Sequence, residues 1–473
     1  MRIPALLVLL FSSFARIASA ADAAADPATL ARIRDAAMQS GWAYERLADL
    51  TDKIGGRLSG SPQAEAAVEQ VAAAMRQQGF TVRLEPVMVP HWVRGEERAE
   101  IVAFPGQIRK LTQRLVLTAL GGSGATPPQG EQAEVVVVKS LDELKAKGAG
   151  VSGKIVLIDT PFDTHLQDNG YAGAAYGQAG QARFPGPAVA AKLGARAVLV
   201  RSISGANYRM PHTGVTGWDE GQAPIPAAAV SSEDAELIGR LASKGPVTIK
   251  LLLTPQTLPD VESANVIAEL PGGDLKDEIV LVSGHLDAWD IGHGAIDDGA
   301  GVVGAMGALY AIKSLGLTPR RTIRFVAWMN EENGARGEKA YTAAHQNAFA
   351  KHAAVIEGDN GAGRPLGIKA YASAAAVAAL APVIDALRPL GATVLEMRIN
   401  PVASDLGSLQ KAGIPGFEPL LDTRNYFDYH HTAADTLDKV DPENLRRQVA
   451  VFAVLTWFLA DAPQMLERMP VRK

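Results

Sequence analysis

From residue 27 to residue 79 apolar positions recur at helical spacing, with Ser61-Pro62 as N-cap and first helical residue and Gly79 as a stop. The next stretch, FTVRLEPVMVP (80–90), alternates as a half-buried strand does. From about 95 to 260 the texture changes to short β-like runs, AEVVVVKS, KIVLIDTP, ARAVLVRSI and PVTIKLLLT, set between Gly- and Pro-rich loops. Few helices are expected there. After about 262 strand and helix alternate: EIVLVSG (278–284), TIRFVAWMN (322–330) and AAVIEGD (353–359) read as buried strands, and GVVGAMGALYAIKSLG (301–316) as a helix between them. This predicts an α/β fold with a mainly parallel, helix-flanked sheet. The N-terminal helices lack a sheet of their own and are expected on this one. The expected division is a discontinuous domain, 21–94 and 262–473, with a β-rich insert domain at 95–261.

The N-terminus adds a compartment. MRIPALLVLLFSSFARIASA has a basic start, the apolar run Ile3 to Phe11 and a small-x-small end at Ala18-Ser19-Ala20. That is the layout of a signal peptide, residues 1–20, cleaved after Ala20 from a secreted or periplasmic protein. The run is far shorter than the roughly 20 residues of a spanning helix. No later segment is expected to span either; VAVFAVLTWFLA (449–460) suits a buried helix. The 473 residues, 47% hydrophobic and 21% charged, can bury a large core. A net charge of −5 gives no electrostatic case for nucleic acid. With no cysteine at all, thiolate metal sites, cysteine nucleophiles and disulfides are excluded together.

The candidate chemistry sits where strands run out, which in open α/β sheets is where ligand sites gather. SGHLDAWDIGHGAIDDGAG (283–301) holds two histidines and four aspartates. EIVLVSG leads into His285 and Asp287, RFVAWMN into Glu331-Glu332, and AVIEG into Asp359, while YHHTAADT (429–436) precedes the C-terminal helix. Imidazole and carboxylate without thiolate suit zinc, cobalt or manganese. So many carboxylates suggest two ions sharing a bridging group, at the spacing of about 3.5–4 Å found in two-metal hydrolases.

These residues carry a resemblance. HLD, then DD at twelve and thirteen residues beyond the histidine, then EE, D and HHT..DT resemble the co-catalytic dizinc exopeptidases of the aminopeptidase and glutamate-carboxypeptidase superfamily. PRRTIRFVAW, AGIPG and PHTG (211–214) extend it toward the plasma glutamate carboxypeptidase subgroup, over nearly all of the mature chain and least securely from 95 to 200. The resemblance implies that His285 and Asp359 bind one zinc, Glu332 and His431 the other, and Asp297 bridges both. It makes Glu331 the general base and then acid, and Asp287 the partner that orients His285. It also implies a cis peptide between Asp297 and Asp298, a protease-associated identity for the insert, and a homodimer, for which the chain alone carries no signal.

Each residue also has a plainer reading. His285 could be a core histidine, Asp297-Asp298 a turn and helix cap, and Glu331-Glu332 acids of a helix's first turn. Asp298 is expected to support the turn whichever reading holds for Asp297. In EGDNG, Glu357 competes with Asp359, and the resemblance selects Asp359. His430 stands where many superfamily members have tyrosine, which makes it a candidate for the developing oxyanion or the substrate. His293 is expected at the cleft rim and Asp290 bonded to loop amides. Tyr426, Phe427 and Tyr429 fit a substrate pocket or plain packing. Asp405 is expected as a helix cap and Arg57 as structural. Gly299, Gly301 and Gly304 open a helix, but no phosphate motif surrounds them.

The expected function is a zinc-dependent exopeptidase acting on dipeptides or short peptides by metal-activated water, with no membrane or nucleic-acid partner. The nearest alternative is an aminopeptidase on longer peptides. A more remote one is a non-catalytic binding protein on the same scaffold, which filled ligand and base positions argue against.

Overall fold

In the computed structural model, which describes residues 26–206 and 208–472, the chain lays down two eight-stranded sheets. The expected signal peptide lies outside the described residues.

Across the first sheet the order is Thr81–Val93, Gln256–Leu270, Arg321–Trp328, Leu275–His285, His352–Glu357, Gly416–Leu421, Pro365–Tyr371, Val394–Met397. Its centre is parallel: Leu275–His285 pairs that way with Arg321–Trp328 and His352–Glu357, and the latter with Gly416–Leu421. Both faces of this centre are covered, which is why its strands read as unbroken apolar runs. Toward the edges, Thr81–Val93, Gln256–Leu270 and Pro365–Tyr371 pair antiparallel with their inner neighbours.

The helices Pro27–Gln39, Trp42–Lys53 and Pro62–Gln77 pack on this layer. Ser61 Oγ caps the third by accepting the Ala64 N–H at 3.1 Å. Under them lies Ala300–Ser314, buried on nearly every side and packed against Pro442–Asp461. Contrary to expectation, a segment after the N-terminus, Ala295–Ser314, is long and apolar enough to cross a membrane. Its apolar surface is spent on the interior of the fold instead, as in a core helix.

The second sheet is built by the middle segment, in the order Gln113–Leu115, Glu97–Ala103, Thr248–Leu253, Glu131–Val138, Ile155–Ile158, Ala197–Arg201, Ala227–Val230, Leu117–Ala119. All four predicted runs are strands. The segment is richer in helix than expected, with Leu141–Lys147, Thr164–Asp168, Ala172–Arg183, Gly186–Lys192 and Ser232–Ala242. The helix Ala172–Arg183 carries three glycines among its 12 residues and buries only alanines, so no large side chain marks an apolar stripe in the sequence.

The two sheets meet along a shared apolar seam. Leu58 and Trp92, from the first layer, and Trp289, from the loop after His285, are buried with Ala119, Leu251 and Leu253 of the second. Gly121 makes the contact feasible, because a Cβ there would come within 2.1 Å of the Trp289 indole. Beside it the buried Arg94 donates through Nε to both oxygens of Asp290, at 3.0 and 2.9 Å, and through Nη1 to Thr118 Oγ1 at 2.8 Å. Asp290 is therefore held by a guanidinium rather than by loop amides.

Candidate metal centre

The site lies at the carboxyl end of the parallel strands. His285 is the last residue of Leu275–His285, and Asp297 sits in the turn Ala295–Gly299 that leads into the core helix. The peptide between Asp297 and Asp298 is cis, as the resemblance implied. The turn is fixed from three sides. Asp435 Oδ1 accepts the N–H groups of Ala295 and Ile296, each at 2.8 Å, and its Oδ2 accepts that of Asp297 at 3.2 Å. Arg57, fully buried, donates to the carbonyls of His293 at 2.7 Å and Gly294 at 2.9 Å, a structural role. Asp298 accepts the His285 N–H at 3.1 Å and the Gly301 N–H at 3.0 Å, tying strand end to helix start.

Asp297 is the meeting point. Its Oδ1 lies 3.3 Å from His285 Nε2, and that nitrogen is 3.6 Å from Asp359 Oδ1. Its Oδ2 lies 3.2 Å from His431 Nε2 and 3.3 Å from His430 Nε2. His431 Nε2 is in turn 3.1 Å from Glu332 Oε2. Two donor groups thus flank one carboxylate: with Asp297, His285 and Asp359 on one side and His430 and His431 on the other are each compact enough to hold an ion, while Glu332 reaches the second group through His431. Asp297 Oδ2 and Glu332 Oε1 are buried without a hydrogen-bond donor, and a divalent cation would satisfy both. The donor set, imidazole and carboxylate only, fits zinc.

The surroundings refine several expectations. His285 Nδ1 is 3.0 Å from the backbone carbonyl of Asp287, while the Asp287 carboxylate is 4.0 Å away. Asp287 therefore orients the ring through its main chain. Its side chain instead accepts the N–H groups of Asn330 at 2.8 Å and Glu331 at 3.0 Å. Asp359 lines the cavity and accepts a hydrogen bond from Ser404 Oγ at 2.9 Å. Its competitor Glu357 is turned to Ser283 Oγ at 3.3 Å and the Asp405 N–H at 3.4 Å. Asp405 caps no helix: both its carboxylate oxygens are buried and unpartnered. Burial and the facing Glu357 push its carboxyl well above the usual range. His293 is exposed, away from the donor cluster.

A cavity of about 330 Å³ opens over the cluster, lined by Glu331, Asn360, Tyr426, Phe427 and both adjacent histidines, with Tyr176, Arg183 and Val215 arriving from the middle segment. Burial, reinforced by Asp359, Glu332 and Asp287, lifts Glu331 to about 8, and burial with Asp297 nearby lifts Glu332 to about 7. The His430 ring stacks on His431, with centroids 3.6 Å apart. Burial, with His431 alongside, drives its pKa well below the ordinary value. Tyr429 lines a neighbouring cavity of about 980 Å³, which Tyr426 borders from the other side.

Sequence reasoning missed Tyr176 and Arg183, which sit on the helix that carried no periodic signal. It quoted PHTG without assigning it a place. In the structure His212 Nδ1 is 2.8 Å from the His430 carbonyl, and the Thr213 N–H donates to the His431 carbonyl at 2.9 Å. Those contacts hold His431 at a positive φ of 61°. Asp435 belonged to a quoted motif, but only its place beneath the turn reveals its work.

The model for Peptidase family M28 matches residues 265–456. Carboxypeptidase Q of Homo sapiens is 39% identical over 427 residues, covering 90% of this chain and 86% of that protein. Carboxypeptidase Q of Xenopus laevis is 37% identical over the same length, covering 90% and 87%. A crystal structure of a Peptidase M28 precursor from Shewanella amazonensis SB2B superposes with a TM-score of 0.87 at 39% identity, covering 94% of this chain and 98% of that one. A zinc aminopeptidase from Bacillus subtilis shares the fold at 21% identity and a TM-score of 0.63, covering 87% and 93%.

Proposed function

The chain belongs to peptidase family M28, alongside carboxypeptidase Q, and from that we propose a secreted or periplasmic dizinc exopeptidase that hydrolyses dipeptides or very short peptides. The middle segment, expected at 95–261, is read as an inserted, protease-associated-like domain that ends before Gln256, since the chain leaves the first sheet after Val93 and rejoins it at Gln256.

One observation carries the reading: the two oxygens of the buried Asp297 face two separate donor groups. His285 and Asp359 would hold one ion, Glu332 and His431 the other, with Asp297 shared. Bound zinc supplies Lewis acidity, polarising the scissile carbonyl and acidifying the attacking water. Glu331, at the cavity wall, takes the proton from that water as general base and returns it to the leaving amine as general acid. A carboxyl that burial has lifted toward neutral pH suits both halves of that task. Asp287 positions Glu331 through its backbone N–H. His430 lines the same cavity, where its Nε2 can donate to the developing oxyanion.

The alternative is an aminopeptidase on longer peptides, as the zinc aminopeptidase fold relatives keep in view. Hydrolysis of a free dipeptide, its N-acetyl form and its C-amide form by zinc-loaded protein separates the two. Loss on the amide supports the carboxypeptidase-like reading, and loss on the acetyl form the aminopeptidase. Absence of chelator-sensitive cleavage of any short peptide would end the enzymatic reading.

A further inference from the structure

We infer that Ser59 is a positioning residue: acting through Asn330 and Asn333, it fixes the turn that carries Glu331 and Glu332 against the turn that carries Asp297. This rests on the exopeptidase reading above and adds what holds the general base in place.

Glu331 and Glu332 are neighbours in sequence, and both line the cavity. An extended strand would send their side chains to opposite faces, so the chain has to turn where the strand Arg321–Trp328 ends. Asn330 makes that turn. It is fully buried at φ 74°, a conformation rare among residues with a side chain and most readily taken by asparagine. Its amide closes the turn on itself. Oδ1 accepts the N–H of Arg336, beyond the two acids, at 3.3 Å. Nδ2 donates to Ser59 Oγ at 2.7 Å and to Asn333 Oδ1. The buried Ser59 Oγ in turn donates to Asn333 Oδ1 at 2.9 Å. Both donors of the asparagine amide and the single donor of the serine are thus used, and a satisfied buried network of this kind specifies one geometry. Gly334 is bare because a Cβ there would strike Asn330 Oδ1.

Ser59 belongs to GGRLSGSP (55–62), and two residues before it Arg57 grips the other side of the metal centre. Arg57 Nε donates to the Leu286 carbonyl at 2.5 Å, and its other nitrogens hold the carbonyls of His293 and Gly294. Leu58, between the two, is buried in the seam between the sheets. Three consecutive residues therefore touch the loop after His285, the turn into Asp297 and the turn of the two glutamates. Successive Cα atoms stand about 3.8 Å apart, so this short segment sets how far the proton carrier lies from the shared carboxylate. Asp287 holds the backbone N–H groups of Asn330 and Glu331. Ser59 holds the side chain on which the rest of the turn closes. A general base displaced by about an ångström loses much of its rate, which gives the serine its leverage.

The test measures Ala-Leu hydrolysis by the zinc-loaded full chain. Ser59→Ala should lower kcat about tenfold with KM unchanged, and Asn330→Gly, which allows the same backbone turn but lacks the amide, about a hundredfold. The double variant should match Asn330→Gly alone to within about threefold, because Ser59 acts through that amide. Ser61→Ala, which removes only the helix cap in the same loop, should lower the unfolding midpoint with kcat intact. Full kcat in Ser59→Ala overturns the assignment, and so does a double variant in which the two losses multiply. Hydrogen exchange of residues 329–337 reads the turn without turnover. Exchange there about tenfold faster in Ser59→Ala than in Ser61→Ala supports the positioning role even if no peptide is cleaved, an outcome that would sink the exopeptidase reading alone. Equal exchange in the two variants overturns the positioning role.

Discussion

The carboxylate of Asp287 accepts the backbone N–H of Glu331 at 3.0 Å and stands 4.0 Å from the His285 ring it was expected to orient. An aspartate two residues after a proposed ligand histidine thus acts on the neighbouring strand end. Asp287→Ala is expected to lower kcat about tenfold to a hundredfold while two zinc ions remain bound at assay concentrations. Zinc titration alongside kinetics checks this. Lost affinity for one ion, with kcat intact, would return Asp287 to the His285 ring.

Glu331→Gln removes the proton carrier while keeping shape and neighbours. Turnover should fall by about 10²–10⁴-fold, with zinc content unchanged by elemental analysis. Loss of an ion instead would mean that the roles of Glu331 and Glu332 are exchanged.

The shared position of Asp297 predicts an asymmetry among ligand substitutions. Asp297→Ala should weaken both zinc ions together, whereas Glu332→Ala should release one and leave the other. Chelation of wild type should abolish activity and lower the unfolding midpoint, since a ligand at a hundred times its Kd contributes about 2.7 kcal/mol. An Asp297→Ala protein that still holds two ions contradicts the bridge.

A pH dependence arises away from the metal centre. Arg324 donates to the Tyr341 hydroxyl at 2.8 Å, that hydroxyl lies 2.8 Å from His352 Nε2, and His352 Nδ1 is 3.1 Å from the Ala348 carbonyl. Nδ1 must then carry the hydrogen and Nε2 accept. Burial depresses this imidazole from 6.5 to about 4. Below pH 6.5 the unfolded chain gains a proton that the folded one refuses, so stability falls as pH drops toward 4 and levels off beneath it. Between pH 7 and pH 5 the loss from this residue is about 2 kcal/mol, and His352→Gln should remove that share of the slope. Urea unfolding of both proteins at the two pH values measures it. Equal slopes would show that His352 titrates normally.

The donor set was legible because its members sit at the ends of apolar runs, where a parallel sheet must place its ligands: His285, Glu332 and Asp359 follow strands that read plainly in sequence. What stayed hidden depends on contacts made across the fold. Asp405 looks like a cap until its carboxylate is found buried against Glu357, and Asp290 looks like a loop acid until Arg94 arrives from 196 residues away. Arg183 was invisible for another reason: its helix buries only alanines, so nothing in the sequence announces that it reaches the cavity wall.

The pairing of Trp289 with the bare backbone of Gly121 means that the loop bearing the metal-site histidine is plugged into the neighbouring sheet. Excising the middle segment to obtain a minimal enzyme would strip the cover from that indole and from Leu58, leaving the loop without its wedge. Grafting the equivalent segment from a relative, as a way of changing peptide preference, would succeed only where the graft brings its own vacancy for the ring. The two halves of this molecule are consequently matched parts, to be exchanged together or left alone.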